Sequence, residues 1–259
     1  MPGRTVTIEG IGFWANGLPS WQAARGFVAG GTAAADAPRR PSPQLLAANE
    51  RRRAPETVAV ALDVALAACT AAGRDPASLP SVFASTHGDL GITDYMCTTL
   101  ASEPRSVSPT KFHNSVHNAA AGYWTIGSGC MHASSAISAY DASFAQGLVE
   151  AIAQLAEGAE AVLLAAYDGA SAGPLAAVSA SHGLLGGALV LSRAEGGLRM
   201  RATLVDGSLP PADDALSRHA AGNAMAPMLP LFGALAGGRD VALLHAGPGR
   251  VLRVEIAHG

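Results

Sequence analysis

Hydrophobic residues recur along the chain with two periods, and each period predicts a different kind of element. Residues 4–12 alternate between apolar and polar positions, which predicts a strand that closes in a turn at Gly10-Ile11-Gly12. Residues 141–157 carry a helical apolar stripe and are followed by Gly158, so they predict an amphipathic helix. The apolar residues of that stripe are Phe144, Leu148, Ile152 and Leu155.

Residues 55–72 fit both periods, because their valines and leucines alternate while the segment is long and rich in alanine. Pro55 stands at its start and Gly73 just past its end, which are the residues that typically begin and end a helix. We therefore predict a helix there.

The remaining pattern predicts strands alternating with helices. Strands are expected at residues 79–85, 134–140, 159–166, 241–245 and 251–256, with a hairpin of residues 184–192 and 198–205 around Glu195-Gly196-Gly197. Helices are expected at residues 17–29, 94–100, 116–126 and 215–235, and a loop at 30–43. This alternation predicts an α/β layered fold with a mixed sheet.

Composition narrows the class of protein. The 259 residues carry a net charge of −3, which excludes the concentrated basic field of a nucleic-acid-binding protein. Charged residues are 14% of the chain, against about 25% in typical proteins. Either much of the surface is covered by a partner, or the surface is unusually small and neutral, as the alanines and 30 glycines suggest. Three cysteines without a CxxC pair, no signal segment and no membrane-length apolar run predict a cytoplasmic protein.

Two glycine motifs invite enzymatic interpretations. Gly10-Ile11-Gly12 lacks the third glycine and the acidic residue of a dinucleotide site, so we interpret it as a tight turn. Gly169-Ala170-Ser171-Ala172-Gly173 matches the nucleophile elbow of serine hydrolases after a predicted strand, but no long helix follows it. A serine hydrolase or acyltransferase that uses Ser171 stays as an alternative.

Polar clusters give weaker signals. The eight histidines include His113 and His117 at helical spacing, but no acidic ligand accompanies them, so we predict no metal and no cofactor. The run Arg51, Arg52 and Arg53 fits a solvated helix end or a contact with a phosphorylated or acidic partner. Asp141, between a predicted strand and a strong helix, is expected to cap the helix N-terminus.

Several segments, in order, resemble the N-terminal half of a β-ketoacyl synthase of the thiolase-like fold. These are residues 6–12 (VTIEGIG), 50–53 (ERRR), 118–122 (NAAAG) and 186–191 (GGALVL). The resemblance covers about residues 4–206 and implies a synthase-like half at 1–206, with a reduced C-terminal segment, 207–259, packed on the same domain. It also implies that Asp141 occupies the position of the catalytic cysteine of the family.

Residues 46–53 (LAANERRR) and 81–89 (SVFASTHGD) resemble the short chain-length-factor class of ketosynthase-like proteins found in aryl polyene, or xanthomonadin-type, pigment clusters. That resemblance implies a catalytically silent subunit paired with an active ketosynthase through the strand before position 141. Tyr140, Asp141 and Phe144 would then line the acyl tunnel, with Phe144 as its floor unless it is a core residue. Arg51, Arg52 and Arg53 would contact an acyl carrier protein. A homodimeric acyl-binding module is a third alternative.

Overall fold

The computed structural model describes residues 4–258 and contains one eight-stranded mixed sheet in the order β3-β2-β4-β5-β1-β6-β8-β7. The strands β2, β3 and β4 run parallel, and the other neighbouring pairs are antiparallel. The strand bounds are β1 Thr5–Ala15, β2 Ser81–Ala84, β3 Ser134–Ile137, β4 Ala161–Asp168, β5 Leu185–Ser192, β6 Arg199–Asp206, β7 Val241–Gly247 and β8 Arg250–Ala257.

Helices cover both faces of this sheet and make a three-layer fold. The helix bounds are α1 Trp21–Val28, α2 Ala48–Arg53, α3 Glu56–Ala72, α4 Leu90–Ser102, α5 Pro109–Asn114, α6 Ala119–Ser128, α7 Ser143–Ala156, α8 Ala215–His219 and α9 Leu229–Gly237. Along β4, Val162 and Leu164 join the core beneath α7 and α9, whereas Leu163 and Ala165 join the core beneath α3 and α6. Both faces of the central strands are therefore apolar, which explains their unbroken hydrophobic runs.

The prediction of a helix at residues 55–72 is confirmed. The helix α3 begins after Pro55 and ends at Gly73, whose φ of +65° lets the chain leave the helix in a left-handed conformation. Its interior is almost entirely buried, which accounts for apolar residues on every side and for the ambiguous pattern.

The interpretation of Gly10-Ile11-Gly12 as a turn is wrong, because these residues lie inside β1. A Cβ atom would lie 2.1 Å from the Ala68 carbonyl oxygen at Gly10 and 2.0 Å from the Val64 carbonyl oxygen at Gly12. Glycine is therefore required because α3 packs directly onto the strand backbone.

The predicted hairpin of residues 184–192 and 198–205 is also wrong. The strand β1 lies between β5 and β6 and pairs antiparallel with both, Thr7–Ala15 with β5 and Thr5–Thr7 with β6. The connecting loop wraps the start of β1, where Ile8 N donates to Leu198 O at 2.8 Å. The chain does turn around Glu195-Gly196-Gly197, but β1, which comes much earlier in the sequence, lies between β5 and β6.

Several helix bounds differ from the prediction. The expected helix 215–235 is divided into α8 and α9, separated by residues 220–228, which include Pro227. The expected helices 94–100 and 116–126 are observed at Leu90–Ser102 and Ala119–Ser128, and the short helices α2 and α5 were not predicted.

Candidate functional site

The corner between β3 and α7 is built from a strained turn. Residues Tyr140–Ala142 form a 3-10 turn, and Tyr140 is the one residue other than glycine in the described chain with a positive φ, at +52°. The Ser143 hydroxyl accepts from Ala139 N at 2.9 Å and donates to Tyr140 O at 2.6 Å, which holds the turn closed. Such a backbone costs about 1–3 kcal/mol and persists only where surrounding contacts impose it.

The expectation that Asp141 caps the helix is wrong. The helix α7 starts at Ser143 after Ala142, and in the described structure no side chain caps it. Asp141 lies one residue earlier, inside the 3-10 turn, and is exposed. The strand before it, β3, is a sheet edge and not a buried strand, which leaves the corner open.

Asp141 lines a cavity of about 570 Å³, which we call the Asp141 cavity. Its polar residues include His182, His245 and Asn223, and its walls are mostly alanine and proline. A mainly apolar wall with a few convergent polar groups is typical of a small-molecule site. His245 comes from β7, which reaches this corner because Gln146 Nε2 on α7 donates to Ala246 O at 2.9 Å.

His245 is a site residue that the sequence interpretation missed. It is far from position 141 along the chain, and no motif surrounds it. His219, another histidine of the C-terminal segment, lies elsewhere, with its Nε2 2.7 Å from Asn16 O and its ring against Phe27.

A buried carboxylate organises the loops beside the cavity. Asp168, at the end of β4, accepts from the Ser85 hydroxyl at 2.7 Å and from Thr86 N at 2.9 Å. The pKa of Asp168 is raised, because the effect of burial outweighs the lowering effect of these hydrogen bonds. Asn223 links its surroundings to the cavity, because its Nδ2 donates to Asp168 O at 3.3 Å and to His182 O at 3.0 Å.

The structure does not bring Ser171 together with a base. The Ser171 hydroxyl accepts from Ser181 N at 2.9 Å and lies 3.3 Å from Ser181 O, and in residues 4–258 it has no histidine partner. The serine that does contact an imidazole is Ser179, whose Oγ lies 2.7 Å from His87 Nε2.

The three candidate tunnel residues have different surroundings. Tyr140 is 56% exposed, and Asp141 lines the Asp141 cavity. Phe144 is 1% exposed, with its ring centroid 6.0 Å from that of Phe232, and it does not line the Asp141 cavity. These contacts favour the core-packing alternative for Phe144.

The three arginines at the end of α2 have different surroundings. Arg52 and Arg53 line a second cavity of about 530 Å³, the arginine cavity, together with Arg40 and Lys111. Arg51 lies outside it and donates from Nη1 to Gln44 Oε1 at 2.8 Å.

The β3 edge is surrounded by exposed apolar side chains. The strand has no charged residue, and Ser134 and Ala136 are exposed. Met131, three residues before the strand, is 95% exposed, and Ile126, on the neighbouring helix α6, is 75% exposed. An uncharged open edge beside large apolar residues is typical of a surface that pairs with another chain.

Within residues 4–258, no helix has the length and hydropathy that a membrane span requires. The same residues contain no group of three or more histidine, cysteine or acidic side chains that could hold a metal ion.

Comparison with known proteins places this geometry in a family. The family model described as the N-terminal domain of β-ketoacyl synthase matches residues 21–226. A search of curated protein sequences found no match.

Among solved structures, the chain is similar to one from the complex of the ketosynthase ApeO with its chain length factor ApeC from Xenorhabdus doucetiae. That match has a TM-score of 0.77 and 24% identity, and covers 97% of this chain and 99% of the other. The ishigamide ketosynthase/chain length factor matches with a TM-score of 0.73 and 14% identity, covering 98% and 99%. The AntDE:AntF complex, a type II acyl carrier protein with its ketosynthase, matches with a TM-score of 0.73 and 14% identity, covering 100% of both chains. The chain therefore belongs to the β-ketoacyl synthase family through its N-terminal domain and has the thiolase-like fold of ketosynthases.

Proposed function

We propose that this chain is a catalytically silent, chain-length-factor-like subunit that pairs with an active β-ketoacyl-ACP synthase in type II polyene or polyketide synthesis. The observation that carries the proposal is the β3–α7 corner, which holds an exposed carboxylate, Asp141, beside an open sheet edge. In this proposal Asp141 occupies the position that the nucleophile has in an active synthase.

The chemistry of the corner supports silence. A decarboxylative condensation needs a thiolate to hold the acyl chain, and a carboxylate is a poor acyl-transfer nucleophile. The three cysteines lie on or beside other elements: Cys69 on α3, Cys97 on α4 and Cys130 after α6. Burial raises the pKa of the Cys69 thiol to about 12, which keeps it protonated and unreactive.

The β3 edge supports pairing. Main-chain groups on its outer side can extend the sheet into a second subunit, while Ile126 and Met131 would be buried beside the seam. Tyr140, held outward by its left-handed backbone, would project toward the partner together with Asp141. A partner on this surface would also account for the low share of charged residues.

The similar structures support the choice of partner, because two of them are described as a ketosynthase with a chain length factor and one as a carrier protein with its ketosynthase. In the proposed complex, Tyr140 and Asp141 line the far end of the acyl tunnel of the partner. Arg52 and Arg53 face the carrier protein.

Two alternatives predict different behaviour. A hydrolase would react at Ser171, yet that hydroxyl is engaged by Ser181 and not by a base. A homodimeric acyl-binding module would use the β3 edge for a second copy of this chain and would retain a fatty acyl ligand after purification.

The test is native mass spectrometry of the protein isolated gently from its source. We expect a one-to-one complex with a ketosynthase that carries an intact cysteine and two histidines. A symmetric dimer of this chain, or a monomer at concentrations where the ketosynthase is present, would contradict the proposal. A fluorophosphonate probe should leave Ser171 unlabelled, and labelling that is lost in Ser171→Ala would favour the hydrolase.

A further inference from the structure

A serine and a histidine from distant parts of the sequence lie in contact outside the β3–α7 corner. Ser179 Oγ lies 2.7 Å from His87 Nε2, although the two residues are 92 positions apart. When the imidazole proton is on Nδ1, Nε2 accepts a hydrogen bond from the Ser179 hydroxyl. A serine hydroxyl that donates to an imidazole nitrogen at this distance is the arrangement of nucleophile and general base found in acyl-transfer sites.

Hydrogen bonds to the backbone hold both residues in place. Asp168, at the end of β4, accepts from His87 N at 3.3 Å through Oδ1 and from Thr86 N at 2.9 Å through Oδ2. Ser179 N donates to Leu175 O at 2.9 Å, which closes the turn that carries the hydroxyl. The pair is therefore fixed by the main chain on both sides, as a nucleophile and its base require.

The residue after the serine offers a free backbone donor. Ala180 lines the Asp141 cavity, and within residues 4–258 its N–H has no hydrogen-bond acceptor. In α/β-hydrolases, the N–H of the residue after the nucleophile donates to the oxygen on which negative charge develops during acyl transfer. Ala180 N is in the same position along the chain relative to Ser179.

An apolar surface adjoins the serine. Val178 is 74% exposed and Leu175 is 42% exposed, whereas Ser179 and His87 are half-buried. The neighbouring Asp141 cavity is walled mostly by alanine and proline. An aliphatic chain can thus lie against apolar side chains while its carbonyl group reaches the hydroxyl.

From these observations we propose that Ser179 and His87 form a catalytic dyad that removes aliphatic acyl groups from thioesters. Ser179 Oγ attacks the acyl carbonyl carbon and passes its proton to His87 Nε2. The carbon–sulfur bond then breaks, and the departing thiolate takes that proton. Water next attacks the acyl-serine ester with His87 as the base, the bond to Oγ breaks, and Ser179 regains its proton as the carboxylic acid leaves.

This activity goes beyond the proposed function, because silence in condensation concerns the position of Asp141 and not Ser179. Only the choice of thioesters over oxygen esters rests on the proposed function, in which the neighbouring proteins handle thioester-bound acyl chains. The dyad itself is formed by this chain alone.

The primary experiment is labelling of the full chain with a fluorophosphonate, followed by mapping of the modified peptide by mass spectrometry. Ser179 Oγ should displace fluoride from phosphorus and form a stable ester. Ser171, in the same loop but bonded to Ser181 and not to an imidazole, is the internal control and should stay unmodified. Absence of label at Ser179, or equal labelling of the two serines, would overturn the proposal.

Variants separate a catalytic pair from a merely structural contact. Ser179→Ala should abolish labelling. His87→Gln retains a hydrogen-bonding side chain but cannot take the proton, so labelling should slow by about 100-fold or more. His132→Gln, at an exposed position outside this site, is the matched control and should be labelled as fast as the wild type. Labelling of His87→Gln at the wild-type rate would contradict the role of the base.

Turnover identifies the substrate class. We expect hydrolysis of S-hexanoyl-N-acetylcysteamine, lost in Ser179→Ala, to exceed that of the S-acetyl compound by at least about tenfold, because the longer chain contacts the apolar surface. Cleavage of a hexanoyl oxygen ester without cleavage of the thioester would overturn the choice of thioesters.

The same measurements distinguish this inference from the proposed function. Labelling of Ser179 in a chain that pairs with no ketosynthase would retain the dyad and reject the proposed function. A chain that forms the ketosynthase complex but stays unlabelled at Ser179, both alone and in the complex, would reject the dyad without affecting the pairing surface.

Discussion

The centre of the sheet and its β3 edge differ in burial and in packing. Every residue of β4 and β5 is buried, and α3 lies so close to β1 that its carbonyl oxygens occupy the space of missing side chains. The strand β3 is four residues long, alternates between exposed and half-buried positions, and adjoins large exposed apolar residues. The difference shows which part of the sequence serves stability and which part is free to serve association. Substitutions in the centre should change folding, and substitutions at the edge should change pairing.

The sharpest test of the centre is Gly12→Ala. The added methyl group would lie 2.0 Å from the Val64 carbonyl oxygen, so α3 must move away from the sheet. We expect a loss of at least about 3 kcal/mol in the free energy of unfolding, measured by urea denaturation. The control is Gly122→Ala on α6, where a methyl group meets nothing within 4 Å and should be tolerated. Similar stability of the two variants would contradict the conclusion that α3 packs against the backbone of β1 at Gly12.

Phe144→Ala tests the core beneath α7. Because Phe144 is fully buried against Phe232, we expect its truncation to cost about 3–5 kcal/mol, with no change in product length in a reconstituted complex. The exposed Phe112→Ala should change stability by less than about 0.5 kcal/mol. A longer product from the Phe144 variant would instead establish this side chain as the tunnel floor.

An ion pair between Glu9 on β1 and Arg74, just after α3, connects the central strand to this helix. The two form hydrogen bonds of 2.7 and 2.8 Å, and the bonds to Arg74 hold the pKa of Glu9 below its usual value of 4.5. The stabilisation is therefore full above about pH 4.5 and is lost as the pH falls through the lowered pKa of the folded state. Glu9→Gln should cost about 1–2 kcal/mol at neutral pH.

Thermal unfolding across pH checks this prediction. The difference between the wild type and Glu9→Gln should shrink as the solution is acidified. Glu160→Gln removes the exposed second partner of Arg74 and should have little effect at any pH. A gap between the wild type and Glu9→Gln that persists at low pH would contradict the assignment.

The smallest effect on stability is expected at the edge. Ala136→Lys places a charge on exposed β3, where it should alter the free energy of unfolding by less than about 0.5 kcal/mol but prevent pairing with the ketosynthase. Val241→Lys places the same charge at an exposed position of β7, the opposite edge strand, and should leave the complex intact. Native mass spectrometry of both variants with the ketosynthase measures which substitution prevents the complex. Loss of the complex in the β7 variant alone would show that β7, and not β3, is the pairing edge.

The same contrast explains how much of the fold could be predicted from the sequence. Local patterns located α3 and α7, because burial and end residues leave a regular signature over many positions. They failed at Gly10-Ile11-Gly12 and at the supposed β5–β6 hairpin, where a distant helix and a distant strand decide the outcome. Nothing local marks a glycine that makes room for α3 as different from one that makes a turn.

The site was less predictable than the fold. The β3–α7 corner was located by the strand, the helix and the family resemblance, yet Asp141 does not cap and Phe144 faces the core. His245 and Arg40 join their cavities only through tertiary packing, so no spacing along the chain could have nominated them.

The placement of β1 between β5 and β6 has a consequence for how the chain is made. The first strand leaves the ribosome long before residues 185–206, and at about 5–20 residues per second it waits on the order of 10–40 s for both neighbours. During that interval an apolar strand with two unpaired edges is exposed to the cellular milieu. Productive synthesis thus depends on keeping β1 sheltered until β6, which ends at Asp206, has been synthesised.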